Sequence, residues 1–237
     1  LYGLIRLLLL LPYPVLMAAG TGIGRLFRRL SASRRHVVET NLRVCFPDWT
    51  PARRDTVARE HFAAMGRGII EASLAWWASD RKLAGRGEVV GLEHLDRAME
   101  QGGVILLTGH FTTLELAARY VAMQRPFHAM YRPLDNSFWD VVTTRAREIR
   151  SQRPSVPRRD LRALIKTLRR GGAVWYGPDQ TLSHRNSAFV PFFGVQTLTL
   201  TATSRLAEMG RARVVPFYPE RLPGHRYRVV FGPALEQ

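Results

Sequence analysis

Gly102-Gly103-Val104-Ile105-Leu106-Leu107-Thr108-Gly109-His110-Phe111-Thr112-Thr113-Leu114-Glu115 is the stretch on which the fold reading turns. Two glycines end the preceding helical pattern, a short apolar run follows, and the run gives way to a segment of helical character. A brief apolar run bounded by breakers reads as a buried strand, here 104–107, and the helix after it is expected over 112–123. The pattern then repeats. Strands are expected at 127–131, 173–176, 213–218 and 227–231, with helices at 137–149, 159–170 and 198–209. Upstream, helices are expected at 34–44, 52–78 and 92–101, the second with Pro51 at its start. Strand-helix alternation of this kind predicts an α/β fold: a mostly parallel central sheet with helices on both faces.

With 237 residues the chain suffices for one such domain, expected over 31–237. Residues 1–30 read as a separate membrane anchor segment. Residues 1–23 hold one charge, Arg6, and reach the roughly 20 apolar residues of a spanning helix, but Pro12, Pro14, Gly20 and Gly22 interrupt them. The segment is expected either to span or to lie in the interface as a broken, membrane-associated helix. Arg25, Arg28, Arg29, Arg34 and Arg35 follow it and favour the cytoplasmic side for the rest of the chain.

Thirty-five Lys+Arg against nineteen Asp+Glu give a net charge of +16, and Lys82 and Lys166 are the only lysines. Arginine forks fit phosphate and carboxylate oxygens, so an anionic partner is expected. Nucleic acid would fit the charge but not the apolar N-terminus, and no nucleic-acid-binding motif is present. The single cysteine, Cys45, rules out a disulfide framework within the chain. No histidine pair has metal-ligand spacing, and no glycine-rich phosphate loop occurs, so neither metal nor cofactor is expected.

Chemistry is expected where parallel strands end. His110 stands just past 104–107. Five positions along one helix would separate His110 and Glu115 by about 140°, so His110 belongs in the turn before the helix and Glu115 in its first turn. The two can then form a His–carboxylate dyad for general-base activation of a hydroxyl. A competing reading makes Thr112-x-x-Glu115 a capping box. After the next strand comes Arg132, followed by Asp135 and Asn136; Arg132 is a candidate for a phosphate or an oxyanion, or else sits in a solvated turn. Asp179 and Gln180 follow the strand 173–176 on the same edge. Phe189-Val190-Pro191-Phe192-Phe193-Gly194 reads as an apolar loop that lines an acyl tunnel or packs on the core. Arg145–Arg170 holds ten basic and two acidic residues, a solvated face or a dock for acidic protein or lipid headgroups.

Asn41-Leu42, Cys45-Phe46-Pro47, Gly109-His110 to Glu115, Tyr131-Arg132-Pro133 with Asp135-Asn136, Val174-Trp175-Tyr176 with Pro178-Asp179-Gln180, Phe189 to Phe193 and Val215-Pro216-Phe217 together resemble, in order, the late acyltransferases of lipid A biosynthesis. That family lies within the lysophospholipid acyltransferase superfamily. The resemblance implies a fatty acyl thioester on acyl carrier protein as donor. It implies an anionic lipid A precursor as acceptor, and an inner-membrane enzyme with its catalytic domain on the cytoplasmic face. His110 would be the base and Glu115 its support, with Arg132, Asp135, Asn136, Asp179 and Gln180 toward substrate. Thr181-Leu182-Ser183 depart from the family's acidic residue and aromatic-Gly pair. The alternative is a related acyltransferase acting on another glycolipid or phospholipid acceptor. Glycerophosphate enzymes, which typically pair their His with Asp and carry a Pro-Glu-Gly-Thr block, fit less well.

Overall fold

The computed structural model describes residues 2–180 and 187–236; Thr181-Leu182-Ser183 and His184 lie outside the described residues. In chain order the elements are α1 (Tyr2–Leu8), α2 (Tyr13–Leu30), α3 (Ala32–Cys45), α4 (Pro51–Trp77), α5 (Asp80–Leu83), β1 (Gly87–Val90), α6 (Leu92–Glu100), β2 (Gly103–Leu107), α7 (Leu114–Ala122) and β3 (His128–Tyr131). There follow α8 (Ser137–Ser151), β4 (Val156–Pro157), α9 (Leu161–Arg169), β5 (Ala173–Tyr176), β6 (Ser187–Phe192), β7 (Val195–Leu200), α10 (Ala202–Gly210), β8 (Ala212–Leu222) and β9 (Arg226–Phe231).

The central sheet has seven strands in the order β1-β9-β8-β2-β5-β3-β4, and every neighbouring pair is parallel except β8 with β9. Strand β2 lies in the middle, with Ile105 opposite Val174 on one side and Val214 on the other. Its residues alternate between two cores, as the pleat requires. Val104 and Leu106 join Trp175 and helices α4, α6 and α7 on one face, while Ile105 joins Val174, Leu164, Leu168 and Leu206 on the other. A strand covered on both faces must be apolar throughout, which is why 104–107 carries no polar alternation.

The N-terminal stretch is two helices, α1 and α2, parted before Pro12 and Pro14, and no described helix is long and apolar enough to cross a membrane. Helix α2 packs on α4 backbone against backbone. A Cβ on Gly24 would fall 1.9 Å from the Phe62 carbonyl oxygen, and one on Gly66 would fall 2.0 Å from that of Gly20. Leu9, Tyr13, Leu16 and Met17 enter the same core as the sheet.

The Tyr13 hydroxyl donates to that of Tyr227 at 2.8 Å, which donates to Glu71 at 2.8 Å. Glu71 is fully buried and is ion-paired with Arg221 at 2.7 Å. Burial, with smaller contributions that include Glu71, pushes Tyr13 up to about 12.

Three expected elements differ. The apolar segment 189–194 is not a loop but part of β6 and the turn of the hairpin β6–β7, and residues 195–200 are strand, so the expected helix 198–209 begins only at Ala202. Cross-strand pairing with β6 overrides the local helical spacing there. The helix expected from Thr112 begins at Leu114. Its N-cap residue, Thr113, makes no side-chain cap bond, so no capping box forms.

Candidate active site

Strands β2, β5 and β3 are neighbours in the sheet and run the same way, so their carboxyl ends deliver three turns to one edge. The first carries His110, the second Asp179 and the third Arg132. The Thr108 backbone N–H donates to the Tyr176 carbonyl at 3.0 Å and ties the first two turns together. Gly177 leaves room for the imidazole: a Cβ there would stand 3.1 Å from His110 Cε1.

Asp179 grips His110 twice. The His110 backbone N–H donates to Oδ2 at 2.7 Å, and Nδ1 lies 2.5 Å from Oδ1. A carboxylate only accepts, so the ring proton sits on Nδ1 and Nε2 is left as the basic nitrogen. Burial by itself raises the Asp179 carboxyl. The hydrogen bonds from His110, backbone and ring, and the interaction with its charge more than offset this, so the group lies below its ordinary value.

The expected partner of His110 was Glu115. Among the described residues no hydrogen bond joins them. Glu115 accepts from Trp76 Nε1 at 2.7 Å and from Arg147 Nε at 3.1 Å, and it is ion-paired with Arg147. It nevertheless lines the same cavity as His110. That cavity, of about 440 Å³, has an apolar wall of Ala75, Leu114, Ala118, Ala122, Phe127, Ala129 and Trp175. Arg119, Arg132, Arg147, Arg150 and Arg158 also line it, with the guanidinium groups of Arg119 and Arg150 paired with Asp80. The volume is that of a small-molecule site.

The other expected site residues fall variously. Arg132 is on the cavity wall and 3.8 Å from Asp135, which is almost fully exposed. Asn136 caps α8, accepting from the Trp139 N–H at 3.1 Å. Gln180 lines the cavity. Arg147, Arg158 and Trp76 were not singled out from the sequence as site residues. Arg147 and Arg158 sit in the basic run 145–170, whose composition alone does not say which arginines turn inward. Among the described residues no group of three or more His, Cys, Asp or Glu is placed to hold a metal ion.

The site is thus a histidine held by a carboxylate at the edge of a cavity with an apolar wall and several arginines. Residues 1–237 match the family described as bacterial lipid A biosynthesis acyltransferase. The chain is 40% identical over 234 residues to the lipid A biosynthesis lauroyltransferase of Escherichia coli (strain K12), covering 98% of this chain and 76% of that one. It is 38% identical over 220 residues to a lipid A biosynthesis acyltransferase of Haemophilus influenzae, covering 91% and 70%. The lipid A biosynthesis palmitoleoyltransferase of Escherichia coli (strain K12) is 34% identical over 239 residues, covering 99% and 77%. With the family match spanning every residue, the chain belongs to the bacterial lipid A biosynthesis acyltransferases.

Proposed function

We propose that this acyltransferase moves a fatty acyl chain from a thioester on acyl carrier protein to a hydroxyl of a phosphorylated lipid A precursor, with His110 as general base. The observation that carries the reading is the double hydrogen bond of Asp179 to His110 beside a cavity with an apolar wall and five arginines. Nε2 takes the acceptor's proton as its oxygen attacks the thioester carbonyl. The tetrahedral intermediate then collapses, the C–S bond breaks, and the proton on His110 passes to the leaving thiolate. Asp179 stabilises the imidazolium between these steps. Glu115, the carboxylate expected beside His110, acts in this reading by holding Arg147 and Trp76 at the cavity wall. Arg132 and Arg158, which line the cavity, meet phosphate or the developing oxyanion in this reading.

The membrane part of the reading rests on α1 and α2. Leu10, Val15, Ile23, Leu26 and Leu30 are exposed there, ahead of Arg34 and Arg35. An apolar face beside a basic rim suits a helix lying in the interface of an anionic leaflet. The enzyme then works at the cytoplasmic face of the inner membrane.

Incubation of the precursor with acyl carrier protein thioester, read by mass spectrometry, tests the proposal. One acyl chain gained by wild type and lost in His110→Ala supports it. A gain confined to another glycolipid or a phospholipid moves the acceptor assignment, and an active His110→Ala enzyme removes His110 as base.

A further inference from the structure

The hairpin β6–β7 is a two-stranded sheet of its own. Residues 187–200 contain no charge. Alternation puts Phe189 and Pro191 on one face and Val190 and Phe192 on the other, and all four are exposed, Phe189 by 66% and Phe192 by 56%. An isolated ribbon of two strands is marginal in water, and edges left bare in a soluble protein are normally guarded by charge. This one carries no charge, and exposed apolar residues lie on both of its faces. A protein partner would cover one face; lipid surrounds both.

The turn gives a second, independent observation. Phe193 has φ 51° and Gly194 φ 76°, both left-handed, as a two-residue hairpin turn requires. Glycine adopts this freely. A bulky aromatic does not, and such strain persists where it serves a purpose. Here it projects a 54% exposed ring at the very tip. That ring meets Phe46 edge-on at 4.9 Å, Phe46 stacks on Trp49 at 4.0 Å, and the Arg53 guanidinium lies 4.1 Å over Trp49. Arg54 donates to the Phe46 and Pro47 carbonyls. An aromatic cluster rimmed by arginine is the composition of a membrane–water interface.

We propose that the β6–β7 tip, with Phe46 and Trp49, is a second membrane contact that wedges into the headgroup region of an anionic leaflet. The proposal rests on the membrane reading above and adds a site remote in sequence from α1 and α2. The net charge of +16 supplies the complementarity to anionic lipid and works against self-association through the same basic rim. Insertion is shallow, because a two-stranded ribbon, unlike a closed barrel, is not a structure that hydrocarbon tolerates. At its base the ribbon reaches the site: Leu200, the last residue of β7, lines the His110 cavity. The wedge therefore holds the leaflet surface next to the cavity.

The test uses the full chain with Cys45→Ser and Phe193→Cys, labelled with an environment-sensitive fluorophore, and vesicles of phosphatidylethanolamine with phosphatidylglycerol. The label is expected to shift to the blue and to be quenched by shallow nitroxide lipids, while the same label on Arg170→Cys stays unchanged. Phe192→Ser with Phe193→Asn, which relaxes the turn, is expected to weaken vesicle partitioning by about tenfold or more at an unaltered melting temperature. Flotation with vesicles without a change at position 193 overturns the wedge and leaves the α1–α2 contact standing. Failure to float at all sinks both. A blue shift without vesicles that grows with protein concentration means the tip meets a second copy, and overturns the proposal.

Discussion

Asp179 reaches His110 across 69 positions of sequence and holds its main chain and its ring with one carboxylate. The grip decides both where the imidazole stands and which nitrogen is basic. Asp179→Asn presents an amide that can pair with the wrong tautomer. Turnover is expected to fall on the order of 10²–10⁴-fold with KM little changed. Steady-state kinetics on the acyl transfer checks this, and an unchanged kcat would detach Asp179 from the base.

The same carboxylate predicts a pH effect on stability. Its pKa is lower folded than the roughly 3.9 of an unfolded aspartate. A depressed pKa contributes stability that is whole above the unfolded value and disappears as pH falls through the folded one. Asp179→Asn lacks this contribution at every pH. The gap in melting temperature between the two proteins should therefore be constant near neutrality and narrow below about pH 4. Asp179 is 42% exposed, so the gap is small.

Glu115 and Arg147 are expected to behave as one unit. Removing either leaves the other, and the Trp76 N–H if Glu115 goes, without its partner in a wall only about a quarter exposed. Each alanine variant should lose about 1–3 kcal/mol of stability as well as activity. The double variant should lose less than the sum, with a coupling of about 0.5–3 kcal/mol. Urea melts of the four proteins in the cycle measure it, and strict additivity would mean the pair is solvated.

Gly66→Ala tests the contact of α2 with α4. The added methyl would collide with the backbone of Gly20 and Gly24, neither of which can swing aside. Overpacking of this kind costs roughly 1–3 kcal/mol and should lower the melting temperature by about 3–10 °C. Gly22→Ala, where nothing lies within 4 Å, is the control and should be neutral or slightly stabilising.

What could be read in advance follows from the range over which each feature is determined. Strand 104–107 and the placement of His110 past its end were legible because a buried parallel strand is short, apolar and bounded by Gly102-Gly103 and Gly109. The carboxylate on Nδ1 was not, since the nearby Glu115 competes on paper with Asp179, and only the β2–β5 pairing brings the latter across. Arg147 was hidden by its neighbours, ten cations in one run obscuring the few that turn inward. The β6–β7 hairpin escaped because Phe189–Phe193 has no polar alternation, the very property that puts apolar residues on both of its faces.

Gly20, Gly24 and Gly66 have one more effect. A catalytic body hung from its anchor by a flexible joint tumbles, and every encounter with a surface-bound substrate begins with an orientational search. No such joint exists between α2 and the cavity. Helix α2 is locked to α4, and α4, with 27 residues and therefore roughly 40 Å long, carries Ala75 and Trp76 into the cavity wall at its far end. The heading of α2 is the heading of the cavity, so in the interfacial placement proposed for α2 the rotational entropy that a tethered enzyme would lose at each turnover is lost once, on folding.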